Sequence, residues 1–275
     1  MAVTTWKGTD ATSPTDFNTA ANWTNGSPSA ADTIIFSPAY DNPCTENVDQ
    51  GTTAYAEILV EQGFTSDIGS ADVYLTASPT DFSYHGSGRI YMDFGTSSGI
   101  DPVISSSASY ALGTYAIHLK GDIDVLSITG GAVAIAYYAG DSASISTASV
   151  SKGRLHVSSQ TSSFSALTQT GGTVTTNQSV GTVKLLKGSF STGEDAGIST
   201  SLTAYSGSAT LNGTGTYASI QIEDQANVNM TNIGRARTIT TLAQNGGHFF
   251  YDPSVITIGT DTAPNRIVQR VISNV

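Results

Sequence analysis

The chain has 275 residues, a mass of 28.4 kDa and 39% hydrophobic residues, so it can bury a core and is not disordered by composition. Charged residues make up only 12%, about half the usual share, and the net charge is −11. A surface that acidic repels nucleic-acid phosphates and anionic membranes, so neither is expected as a partner.

Ser and Thr together fill roughly a quarter of the chain and Gly contributes 28 residues. Thr favours strands, Ser and Gly favour turns, and strong helix formers are scarce. The composition alone predicts an all-β protein.

Residues 1–50 differ from the rest. They hold both Trp residues, Trp6 and Trp23, the single Cys44, and Pro14, Pro28, Pro38 and Pro43. Such a segment reads as turns and short strands packed around two large aromatics. TIIF at 33–36 is a short buried strand. One Cys excludes an intrachain disulfide and a Cys-based metal site, and Cys44 reads as a buried, inert thiol. MAVTTWKGTD has no basic region followed by an apolar run, and no window approaches a membrane span. Synthesis in a cytoplasm is therefore expected.

From about residue 60 a loose repeat appears: an alternating apolar strand, a turn usually containing Gly, then a second alternating strand. Examples are VLSITGGAVAI from Val125, LTQTGGTV from Leu167, LTAYSGSATL from Leu202 and LAQNGGHFFY from Leu242. The turn residues Gly131, Gly153, Gly172, Gly188, Gly207, Ala226 and Gly247 are spaced 22, 19, 16, 19, 19 and 21 apart, and Gly69 and Gly88 are another 19 apart. A unit that small cannot bury its own core, but stacked units can. Nineteen residues at about 3.3 Å each make a coil about 60 Å around, which suits a rung of three short strands. In SATLNG, Ala209 and Leu211 then point inward while Thr210 and Asn212 point out. The expected fold is a β-solenoid (parallel β-helix) of about ten rungs over residues 56–275, with 1–55 as a cap or docking segment. An antiparallel β-sandwich of hairpins is the alternative, because doubling a hairpin period also gives about 20 residues.

The opening segment resembles that of many β-helical surface and phage proteins. The residues carrying the likeness are Trp6, Gly8, Asn22, Trp23, Gly26, Pro28, Asp32 and Ile34 to Phe36. The later Gly-Gly repeats resemble the rungs of autotransporter-associated β-strand repeat proteins. The resemblance implies an adhesin, a fibre or a virion decoration protein, and no chemistry.

No catalytic constellation stands out. His85, His118, His156 and His248 show no metal-ligand spacing, and a zinc-protease motif, nucleophile elbow and P-loop are all missing. Gly213 and Gly215 in LNGTGTY precede a strand rather than a helix, which argues against a phosphate site. Asp122 and Asp124 stand two apart, so a strand would present both carboxylates on one face, either as a solvated edge or as half of a glycosidase or Ca²⁺ site. The pairs Glu194/Asp195 and Glu223/Asp224 read as exposed turns. Tyr137 and Tyr138 in AIAYYAG, if on a strand, face opposite ways; they read first as core or inter-subunit rings, and an exposed Tyr could instead stack on a sugar.

Residues 235–275 hold Arg235, Arg237, Arg266 and Arg270 against Asp252 and Asp261, so this tail is +2 in an acidic chain. Arg266 and Arg270 are four apart and would face one side of a strand. The expectation is a non-catalytic structural protein of the virion surface, without cofactor or metal: a capsid decoration or spike protein of a bacteriophage. It would form a homotrimer and dock on the major capsid protein or another virion protein, with host surface glycans as a further contact. Trp6 and Trp23 would carry the docking affinity, unless they form the core of a small cap, and Arg266 and Arg270 would make inter-subunit contacts. The alternatives are a bacterial adhesin or autotransporter passenger fragment and a polysaccharide-cleaving tailspike domain.

Overall fold

Short runs in which Val, Ile, Leu or Phe alternate with Ser and Thr suit strands buried on one face only. A computed structural model describes residues 2–96, 99–108, 111, 113–231, 236–262 and 268–270. It is nearly all strand, only 2% helical, and its parallel sheet winds as a β-solenoid of about nine turns. The chain divides into two compact units, Met1–Ile145 and Ser146–Val275.

The first unit contains β1 (Val3–Trp6), β2 (Thr33–Phe36), β3 (Glu57–Val60), β4 (Leu75–Thr76), β5 (Asp81–Tyr84), β6 (Ile90–Asp93), β7 (Val103–Ser105), β8 (Ile117–Gly130) and β9 (Ala132–Ile135). One parallel ladder runs β1, β2, β3, β5, β7 and the end of β8. The other runs β4, β6, the start of β8, and β9. The stack thus begins at Val3, inside the segment expected to act as a cap. β8 serves both ladders because it turns a corner at Gly121 (φ +89°), where a Cβ would lie 2.6 Å from the backbone of Gly95.

Strand β10 (Ala143–Val150) crosses the division in sequence. The second unit then contains β11 (Arg154–Val157), β12 (Thr161–Gln169), β13 (Thr173–Thr176), β14 (Val180–Leu185), β15 (Ser189–Thr192), β16 (Ile198–Ala204), β17 (Ser208–Leu211), β18 (Gly215–Ile222), β19 (Asn227–Met230), β20 (Arg237–Gln244), β21 (His248–Tyr251), β22 (Ile256–Asp261) and β23 (Val268–Arg270). The odd-numbered strands form one parallel ladder and the even-numbered strands from β12 onward the other.

The pairing register follows the turn spacing. Arg154 pairs with Thr173, Thr173 with Ser189, Ser189 with Ser208, Ser208 with Asn227, and Asn227 with His248. Each of these partners directly follows a turn residue of the series from Gly153 to Gly247, so the register repeats the glycine spacing step for step. Parallel pairing of strands one coil apart excludes the hairpin sandwich, whose neighbours would be antiparallel. Gly69 and Gly88 do not belong to the series. The bridge between Ile68 and Ile90 sets Gly69 level with Tyr91, because the first unit's rungs carry longer loops.

The glycine column has a steric cause. A Cβ on Gly207 (φ +85°) would sit 2.4 Å from the carbonyl oxygen of Gly188, and one on Gly188 would sit 2.5 Å from that of Gly172. Each of those carbonyls accepts from the next rung: Ser208 N–H donates to Gly188 O at 2.9 Å and Ser189 N–H to Gly172 O at 3.0 Å. Inward side chains stack just as regularly, as in Leu155–Val174–Phe190–Ala209–Val228–Phe249, all buried. Ala209 and Leu211 point in and Thr210 is only half-buried, as the alternation predicts.

Close approach and backbone conformation can be separated experimentally. Gly207→Ala is expected to cost about 2–3 kcal/mol in urea unfolding, combining left-handed strain with the clash. Gly215→Ala has a similar φ of +93° with nothing within 4 Å of the added Cβ. It is expected to cost about 1 kcal/mol. Equal costs would remove the stacking explanation.

Candidate functional site

The feature that departs most from the plain coil is a groove of about 240 Å³ on the first unit, lined by Arg89, Tyr91, Tyr115, His118, Tyr137 and Tyr138, with Gly113 and Thr114. Its floor follows from the register. Tyr91 of β6 pairs with His118 of β8, and neighbouring strands stand about 4.8 Å apart. The two rings therefore lie face to face, with centroids 4.7 Å apart and an interplanar angle of 5°. Met92 and Leu119 alternate with them and fill the core.

The next rung places Ala134 level with His118 and then breaks at Ala136, which has φ +48°. The chain folds back there. Tyr137 and Tyr138 are not on a strand but follow the end of β9 and meet edge to face at 5.2 Å. Tyr138 lies 5.2 Å from the His118 ring and Tyr137 lies 5.5 Å from it. Tyr115 packs on Tyr137 at 5.5 Å. Tyr137 is 40% exposed, whereas Tyr91 and His118 are buried beneath it.

Asp141 anchors this loop. Its Oδ2 accepts from the Tyr74 hydroxyl at 2.8 Å and from the Tyr138 N–H at 2.9 Å. Lys120 pairs with Asp141 at 3.6 Å and with Asp93, its register neighbour, at 3.4 Å. The same ammonium sits 4.1 Å above the Tyr74 ring. Burial, together with bonding to Tyr91, pushes the Tyr138 phenol up to about 12. Burial holds His118 below its ordinary 6.5, against the pull of Asp141. At neutral pH the groove thus offers the protonated Tyr138 phenol, a neutral His118 imidazole and ring faces. His118 Nε2 donates to the Tyr115 carbonyl at 3.1 Å, which leaves Nδ1 as a buried acceptor with no hydrogen-bond partner among the described residues.

Trp6 and Trp23 are 0% and 1% exposed. They meet edge to face at 5.0 Å and pack with Phe17 and Phe36. Their indole N–H groups donate to the carbonyls of Asn42 at 2.9 Å and Phe17 at 2.6 Å. Both rings are core, the second of the two readings above, and neither presents a face to a partner. Cys44 is buried, and burial raises its thiol well above the ordinary range. Arg266 lies outside the described residues. Arg270 ends β23, opposite Tyr251. Arg237 points inward: it is 2% exposed and donates from Nη1 to the carbonyls of Leu211 at 2.8 Å and Met230 at 3.2 Å. It therefore adds nothing to a charged outer face on the tail.

Asp122 and Asp124 flank buried Ile123 and point outward together, but Asp122 accepts from the Ser144 hydroxyl at 2.6 Å. Among the described residues no group of three or more His, Cys, Asp or Glu could hold a metal. Glu194 and Asp195 are exposed at a turn; Glu223 accepts from Gln221 and Asn245. His85 bonds the Ser105 hydroxyl. Of the groove residues, only the Tyr137–Tyr138 pair is singled out by the sequence, and there first as core or inter-subunit rings. His118 reads there as one of four isolated histidines, while Arg89, Tyr91 and Tyr115 carry no signal because their register is irregular.

No family model, curated protein or solved structure matches this chain. The chemistry must therefore come from the residues themselves.

Several carboxylates serve as backbone caps. Asp10 is held below its ordinary 3.8 by the Thr12 hydroxyl and by the N–H groups of Thr12 and Ser13. Asp32 is lowered by the Ala2 N–H and by Ser29, and Asp252 by the hydroxyl and N–H of Ser254. In Asp41, burial opposes the shift but bonds from Thr65 and Ser66 outweigh it. Groups with depressed folded-state values stabilise the fold above their unfolded values and lose that contribution as pH falls. His118 and His156, both lowered by burial from 6.5, begin this loss first. The urea midpoint is expected to hold from pH 8 to 7, decline from about 6.5, and fall again below about 4. A midpoint unchanged down to pH 5 would contradict the neutral buried histidines.

Proposed function

We propose that this chain is a non-catalytic scaffold displayed on a particle surface, a decoration or spike protein of the bacteriophage type. The observation that supports this most is how its acidic groups are used. Asp10, Asp141 and Asp252 accept main-chain N–H groups two or three residues away and close turns, while Asp32 and Asp41 accept from distant segments and tie loops to the coil. A polysaccharide-cleaving site needs two carboxylates facing a shared cleft, with one free to donate a proton. Here acids secure structure, and the strand ladders give a rigid surface element whose exterior is rich in Ser and Thr. Such a surface resists unspecific association, because it exposes few large apolar side chains and carries a net negative charge that repels further copies.

In this reading the molecule binds a shell through the outside of its N-terminal segment, where Val3 and Tyr40 are exposed. It assembles as a homotrimer, which covers the open end of the stack. Removing residues 1–30 would be a poor test of docking, since β1 is the first strand of a ladder. The better experiment combines immunogold labelling of released particles, light scattering and a reducing-end assay on a polysaccharide panel. The expected results are label on the outside of particles, a mass three times the 28.4 kDa chain and no new reducing ends. Label confined to cell surfaces would favour an adhesin, and released reducing ends would establish a tailspike enzyme.

A further inference from the structure

We propose that the groove bounded by Arg89, Tyr91, Tyr115, His118, Tyr137 and Tyr138 binds a carboxylated pyranose, a hexuronic acid unit of a surface polysaccharide. The inference deepens the scaffold reading, which supplies its biological setting but not its chemistry. A pyranose has an apolar C–H face and an equatorial rim of hydroxyls. Tyr faces take the first, and phenols take the second. The groove offers both within about 240 Å³, room for a single sugar unit rather than a peptide.

The charge pattern selects the carboxylate. Two cations lie near the groove. Lys120 is neutralised by Asp93 and Asp141. Arg89 is exposed at the rim and, among the described residues, makes no ion pair. Its guanidinium suits bidentate capture of a carboxylate. A polyphosphate backbone is disfavoured by the −11 net charge, whereas one carboxylate per sugar needs only one local cation. The floor is preformed, since Tyr91 and His118 are held by strand register and the loop is pinned through Asp141.

The test is calorimetric titration and saturation-transfer NMR of the whole chain with β-linked tetraglucuronate, using cellotetraose as the neutral control. Tetraglucuronate is expected to bind more tightly. Arg89→Gln should weaken it about tenfold while leaving cellotetraose unchanged. Tyr137→Ala, at a partly exposed position, should weaken both sugars about tenfold. Arg89→Gln should keep the parent's thermal midpoint, and Tyr137→Ala should lower it by a few degrees while unfolding stays cooperative. No binding of either sugar would overturn the proposal, as would equal affinity for both or insensitivity to both substitutions. So would loss, in Tyr137→Ala, of a concentration-dependent increase in mass, which would make the groove a contact between copies. Sugar binding by the isolated chain, with particles unlabelled, would uphold this inference and remove the scaffold reading; labelled particles with no sugar binding would do the reverse.

Discussion

The whole architecture depends on main-chain hydrogen bonding between one coil and the next. Parallel strands pair residue above residue at about 4.8 Å, so whatever stands at one position faces its counterpart in the next rung at close range. Few side chains tolerate that everywhere. At the corners glycine is favoured, because at Gly172, Gly188, Gly207 and Gly247 the preceding rung's carbonyl occupies the space of a Cβ. Inside, Val, Leu, Ala and Phe form columns in which a large ring in one rung is followed by a small residue in the next, as Phe190 is by Ala209. Outside, the same constraint lays Tyr91 on His118.

Where the constraint acts undisturbed, the sequence is readable. In the second unit the spacing of Gly153, Gly172, Gly188, Gly207, Ala226 and Gly247 equals the strand register, since each residue occupies the same corner of successive coils. Ala226 shows that the corner tolerates a methyl once, and Asp224, with φ +45°, supports the turn just before it. Where loops lengthen the rung, legibility is lost. Thr33 pairs with Val3 on one side and with Glu57 on the other, and the coil leading to it is longer than the coil leading away. No fixed period can reveal such a stack, and the spacing of Gly69 and Gly88 matches the series only by coincidence.

The groove is illegible for the same reason. Its residues come from β6, β8 and the loop after β9. The coil from Tyr91 to His118 is far longer than the coil from His118 to Ala134, so no repeat aligns the three positions. An alternation rule assigns Tyr137 and Tyr138 to opposite faces of a strand, but Ala136 ends the strand and both rings turn onto one patch. The two Trp residues illustrate the opposite case. Their size marks them as important, yet size alone does not separate a core anchor from an interface anchor. Burial and bonded indole N–H groups decide for the core. The proposed sugar site lies where the regular coil is interrupted, as sites on loops carried by a rigid frame commonly do.

Parallel pairing of successive coils in the second unit, at the stated register, is open to direct measurement. Cys44 is buried, so spin labels can be directed to introduced cysteines at the exposed positions Thr173 and Ser208. These lie two rungs apart, about 10 Å in backbone separation. Continuous-wave EPR of the doubly labelled chain should show strong dipolar broadening that is lost on unfolding. A spectrum equal to the sum of the two singly labelled chains would contradict the account.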